Sequence, residues 1–128
     1  MPHFATFDGQ SIFYDDQGDG DAVMLLHGFV GDVNIDWIRS GILDLLLDEG
    51  YRVIAFDARG HGLSDKPHEL SAYENDALTK DAQALLDHLG VGRCAVVGFS
   101  MGARTALHLS VVDPRVHAVV AMGLGEHS

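Results

Sequence analysis

Four short uninterrupted apolar runs constrain this chain more than any other feature: Ala22 to Leu26, Tyr51 to Phe56, Arg93 to Val97 and Val116 to Met122. A strand with one wet face alternates apolar and polar residues, whereas a continuous run reads as a strand buried on both faces, as in a parallel sheet. Between the runs lie stripes at helical spacing. Trp37, Ile38, Ile42, Leu45 and Leu46 form one, closed by Gly50. Leu78, Ala82, Leu85, Leu86 and Leu89 form a second, closed by Gly90, and Met101 to Val112 is a third, stopped before Pro114. Ahead of them, His3 to Phe7 and Ser11 to Tyr14 alternate about Asp8-Gly9, which predicts a hairpin. The order predicts an α/β fold: a mostly parallel sheet with an N-terminal hairpin and helices on both faces.

Composition narrows the function classes. The 128 residues fit one domain with a modest core. A net charge of −11, spread along the chain, repels phosphate backbones and anionic membrane surfaces, so neither nucleic acid nor membrane is an expected partner. The lone cysteine, Cys94, lies in an apolar run and reads as a small buried hydrophobe, consistent with a reducing compartment. The N-terminus lacks the basic and apolar regions of a secretory leader and no run approaches membrane-spanning length, so a cytoplasmic location is expected. Asp15 to Asp21 has the outline of a calcium loop. Gln17 stands at a ligand position, however, and Leu26 where the closing glutamate belongs, so the segment reads as a solvated turn.

The chemistry-bearing signals fall where the apolar runs stop. Gly98-Phe99-Ser100-Met101-Gly102 follows one run and opens a helical stripe. A serine on so sharp a strand-to-helix turn needs positive φ, and its neighbours two positions away need to be tiny. Its hydroxyl then projects at a helix N-terminus, where free N–H groups favour developing negative charge. His27-Gly28-Phe29 ends the first run, placing a flexible backbone where its N–H groups can face the same point. The third segment runs Asp57-Ala58-Arg59-Gly60-His61-Gly62-Leu63-Ser64-Asp65-Lys66-Pro67, a tight loop in which Asp57 and Arg59 are expected to form an organising charge pair.

These three motifs, in this order, resemble those of the α/β-hydrolase superfamily, and most closely its esterase, haloperoxidase and C–C hydrolase branch. The resemblance covers essentially the whole chain, read as a single partial domain over residues 1–128 that corresponds to the first half of a family member. It implies Ser100 as nucleophile and the Phe29 and Met101 amides as an oxyanion hole. Haloalkane dehalogenases and epoxide hydrolases of this fold carry aspartate at the nucleophile position, so the serine implies an acyl-enzyme on a small-molecule ester, with no organic cofactor or metal.

The resemblance also sets an expectation of truncation. The family's acid and histidine follow later strands, and the chain stops soon after its fourth apolar run, without those strands or a cap. The candidates for base or acid are then His27 at the oxyanion turn, His61 on the glycine-rich loop, and Glu126 and His127 near the C-terminus. The last strand would present an open apolar edge, which predicts a homodimer or higher oligomer joined there, with a partner-supplied histidine as one option. The alternative is a non-catalytic half-domain or fragment that acts only through self-association.

Overall fold

The computed structural model describes residues 2–74 and 76–123. Six strands form one sheet: β1 His3–Ala5, β2 Ser11–Gln17, β3 Ala22–Leu26, β4 Arg52–Phe56, β5 Cys94–Phe99 and β6 Val116–Met122, in spatial order β1-β2-β4-β3-β5-β6. The first two make the expected hairpin, and β2 continues antiparallel onto β4. The pairs β4–β3, β3–β5 and β5–β6 are all parallel.

Helices cover both faces, and the strands divide their side chains between them. Met24, Leu26, Ile54, Phe56, Cys94 and Val96 point to one face and pack on helices α2 (Ala77–Leu89) and α3 (Met101–Val112) through Ala82, Leu85, Leu86, Ala106 and Leu109. Val23, Leu25, Val53 and Ala55 point to the other and meet Val33, Trp37 and Leu43. This two-sided burial is why the runs are continuous rather than alternating. Cys94 is buried in the first layer as expected, and burial pushes its thiol up to about 11.

The first helical stripe is not one helix. A π-helical turn, Val33–Ile38, is followed by Gly41 at φ 83° and then by helix α1, Ile42–Asp48. A left-handed residue interrupts helical backbone, and glycine adopts that conformation without strain. Trp37 and Leu43 consequently reach the same core from two short segments.

The hairpin is tied to the rest by a buried ionic knot. The Arg59 guanidinium is fully buried and makes a two-pronged contact with Asp81 of α2, at 2.8 and 2.7 Å. It reaches Asp8 of the hairpin turn at 2.8 and 2.9 Å and donates to the Ala72 carbonyl at 2.6 Å. Desolvation acts against the cation, and bonds to the two carboxylates outweigh it, raising the Arg59 pKa. Burial pushes the Asp81 carboxyl up while the Arg59 fork pulls it down. Arg59 therefore does not pair with Asp57, correcting the sequence expectation. Asp57 instead accepts the backbone N–H groups of Val33 and Leu63, at 2.8 and 2.9 Å.

At the far end of the sheet Arg115 bonds Asp113 and Asp87. Hydrogen bonds from Arg59 and Arg115, respectively, hold the Asp8 and Asp113 carboxyls at about 2, below the ordinary 3.8. Their folded pKa values are depressed, so their stabilisation is complete above about pH 4 and drains away as pH falls from 3.8 toward 2. Urea midpoints measured across that window should fall steeply, and Arg115→Leu should flatten the drop. Arg59→Met leaves Asp81 buried without its partner. It should lower the unfolding free energy by about 3–5 kcal/mol, with most of the loss recovered when Asp81→Leu is added.

Candidate active site

Ser100 occupies the junction of β5 and α3 with φ 56° and ψ −112°. Apart from Asp76, it is the one non-glycine residue at positive φ among the described residues. The turn is possible because its flanks have no side chains. A Cβ on Gly98 would lie 2.3 Å from the Gly102 carbonyl oxygen, and a Cβ on Gly102 would lie 2.1 Å from that of Leu26, so α3 starts in direct backbone contact with the end of β3. The Ser100 N–H donates to the Met122 carbonyl at 2.8 Å, fixing the turn to the end of β6. Ser100 is half-buried. Met101 begins α3, whose first N–H groups have no partner within the helix.

The turn after β3 lies beside this junction. The ring of Phe99 sits so close to Gly28 that a Cβ there would be 2.8 Å from the ring. The turn is closed by the Gly31 N–H donating to the Gly28 carbonyl at 3.1 Å, and the Gly28 N–H donates to Asp36 at 2.7 Å. Phe29, Val30 and Phe99 are exposed, giving the site an apolar rim.

His27 and His61 stand within this loop system, with ring centroids 5.0 Å apart. The His27 ring is buried. Its Nε2 faces the Ala58 N–H at 2.9 Å and its Nδ1 faces the Gly28 carbonyl at 2.7 Å. A backbone N–H can only donate, so Nε2 is the acceptor and Nδ1 carries the proton. Desolvation lowers the ring's pKa, the Gly28 bond opposing it. His61 lies between two carbonyls, with Nε2 2.7 Å from that of Phe29 and Nδ1 3.1 Å from that of Arg59. Both nitrogens of each ring thus face backbone groups. Glu126 and His127 lie outside the described residues.

The remaining motif residues stitch the loop to the hairpin. Ser64 accepts the Phe13 N–H and donates to the Asp57 carbonyl. Asp65 accepts the Ser11 N–H at 2.7 Å. Asp15 to Gln17, expected in a solvated turn, instead continue β2 against β4, and Asp16 there is engaged by both prongs of Arg52. Sequence reasoning missed Asp36, Asp8 and Asp81. Each is an ordinary surface-looking acid in the sequence, and only the tertiary fold supplies its partner.

With this geometry in place, the comparisons with known proteins decide the family. A family model described as the alpha/beta hydrolase fold matches residues 21–127. The chain belongs to that family. It is 39% identical over 102 residues to a non-heme haloperoxidase of Rhodococcus erythropolis, covering 80% of this chain and 35% of that one. An epoxide hydrolase of Caballeronia sordidicola is 35% identical over 117 residues, covering 91% and 35%. Among solved structures, the epoxide hydrolase VrEH1 from Vigna radiata superposes with a TM-score of 0.84 at 33% identity, covering 94% of this chain and 37% of that one. The chain spans about a third of the length of the curated relatives it matches.

The strain at Ser100 is measurable. Glycine tolerates φ 56° and ψ −112°, at an entropic cost smaller than the strain relieved, so Ser100→Gly should raise the unfolding free energy by roughly 1 kcal/mol. Ser100→Ala keeps the Cβ and should leave it unchanged. Denaturant titration of the two variants beside wild type checks this, and equal stability of both with wild type would contradict it.

Proposed function

We propose that this chain carries the nucleophile and oxyanion hole of a cytoplasmic serine hydrolase of the α/β-hydrolase family acting on small carboxylic esters. Ser100 attacks the acyl carbon, the Phe29 and Met101 amides hold the oxyanion, and collapse of the tetrahedral intermediate expels the alcohol and leaves an acyl-enzyme for water to hydrolyse. The observation that carries the reading is the strained serine between two glycines that lack room for a side chain. An ordinary strand-to-helix turn has no need of a non-glycine residue at that φ and ψ.

Serine rather than aspartate at this position favours ester cleavage over the epoxide opening named for some relatives. A small ester is the proposed substrate; the crevice beside Met101, bordered by Leu26, Phe56, Leu78 and Thr105, holds only about 10 Å³, room for about one water, and so does not itself seat the acyl group.

The proposed base lies outside the described residues of this chain. The Ala58 N–H occupies the lone pair of His27, which favours a proton acceptor other than that ring: the segment bearing Glu126 and His127 or a partner chain, with His61 as the alternative among the described residues. Association across the β6 edge is the proposed route to that partner. Among the described residues β6 pairs with β5 alone, and its own Val120 and Met122 stand exposed. Light scattering at micromolar concentration should report a dimer or larger species, and a monomer would remove the self-association proposal.

The central test is a fluorophosphonate probe together with short-chain p-nitrophenyl esters. Labelling and turnover should be present in wild type and absent in Ser100→Ala. Equal inertness of the two proteins would overturn the hydrolase reading for this chain.

A further inference from the structure

We propose that His27 is a positioning residue that aims and polarises the Phe29 N–H through the peptide bond between Gly28 and Phe29. The inference rests on the oxyanion role given to that N–H above.

A trans peptide is rigid and planar, and its C=O and N–H point in opposite directions. The Gly28 carbonyl and the Phe29 N–H belong to one such unit, so fixing the first fixes the second. Two donors hold that oxygen: the Gly31 N–H at 3.1 Å closes the turn, and His27 Nδ1, at the shorter 2.7 Å, sets its direction from the side. A hydrogen bond to the carbonyl also draws electron density away from the amide nitrogen, which makes the N–H a stronger donor.

The proton on Nδ1 is itself held in place. Ala58 presents a backbone N–H to Nε2 at 2.9 Å, which excludes the tautomer with Nε2 protonated. The loop after β4 thereby sets the proton position on the ring, and the ring sets the peptide that follows β3. The groups facing the ring are His61, whose ring lies at 5.0 Å, and the carboxylates of Asp57 and Asp36. Asp36 holds the Gly28 N–H at 2.7 Å, so the peptide before the one in question is anchored too. His61 contacts the next carbonyl along, that of Phe29, at 2.7 Å. Three consecutive backbone units of the turn are therefore held by side chains, and His27 holds the unit whose N–H faces the proposed oxyanion.

Two substitutions separate aiming from a merely structural tie. Asparagine places an amide N–H close to where Nδ1 stands, so His27→Asn keeps a donor to Gly28 and loses the acceptor for Ala58. Glutamine reaches the position of Nε2, so His27→Gln keeps an acceptor for Ala58 and loses the donor to Gly28. The readouts are the Phe29 amide resonance in ¹H–¹⁵N spectra of the whole chain and the fluorophosphonate labelling rate. His27→Asn should keep the Phe29 resonance near its wild-type position and label within about 10-fold of wild type. His27→Gln should shift that resonance upfield and label roughly 100-fold more slowly, the lower end of what losing one oxyanion donor costs. Equal effects of both variants, or a larger loss in His27→Asn, would assign His27 to the tie alone and overturn the proposal.

The wild-type protein offers a test that no folding defect can obscure. Imidazole ¹⁵N shifts should report a neutral ring protonated at Nδ1, and an Nε2-protonated ring would overturn the proposal. A wild-type chain that labels no serine, while its Phe29 amide still follows His27, would remove the hydrolase reading and keep the aiming of this peptide.

Discussion

The contact on which the site depends is backbone against backbone, where Gly102 at the start of α3 meets the carbonyls of Leu26 and His27 at the end of β3. No side chain fits there, so the first turn of α3 rests directly on the backbone at the end of β3. That approach makes the turn at Ser100 sharp enough to force φ 56°, and it brings the first free N–H groups of α3 beside the turn that follows β3. One methyl group at position 102 would push the two elements apart and widen the space between them. The strain at Ser100 is therefore a consequence of packing rather than of the serine itself, and it is sustained by a sheet whose central strands are buried on both faces.

The turn after β3 has no regular secondary structure to hold it, and side chains do that work. Asp36, His27 and His61 each grip a backbone group of residues 28–29, and Asp57 grips those of Val33 and Leu63 on either side. Apart from His27, which belongs to the turn itself, these grips come from the π-helical turn and from the loop after β4, so the loops are one unit. The loop after β4 is in turn anchored by Arg59, whose buried fork joins it to the hairpin through Asp8 and to α2 through Asp81. A buried ion pair of this kind is weak support for stability as such, since desolvation offsets much of the attraction. Its consequence here is positional: one cation fixes three segments that the sheet hydrogen bonds do not reach.

The sequence made the architecture legible because the fold's periodicities are local. Continuous runs, helical stripes and an Asp-Gly turn each lie within a dozen residues, and the strands and the second and third helices fall where those patterns put them. The serine turn was legible for the same reason, since strand, glycines and helix are contiguous. The first stripe was misjudged as one helix because Gly41 breaks it at a position where the apolar spacing does not falter. The partners of Arg59 were hidden for a different reason. Asp57 is two residues away in sequence, but a fully buried guanidinium with several donors is satisfied by carboxylates that the fold delivers, from 51 and 22 residues away. The environments of His27 and His61 were equally out of reach, because each depends on a carbonyl or N–H from a neighbouring loop.

Those loop contacts give His27 a different meaning. A histidine near a serine invites assignment as a base, and both were candidates on position alone. A base needs an uncommitted lone pair aimed at the proton it is to take. His61 faces two carbonyls, which accept protons and occupy no lone pair, whereas the one lone pair of neutral His27 is taken up by the Ala58 N–H. An imidazole used this way is a two-ended backbone clamp whose proton position is dictated by its neighbours. Such a clamp suits an oxyanion turn, where the donor's direction matters within tens of degrees and an extra proton would be harmful. Burial supplies the remaining condition, because it lowers the pKa of His27 and so keeps the ring in the neutral tautomer that the two backbone contacts require.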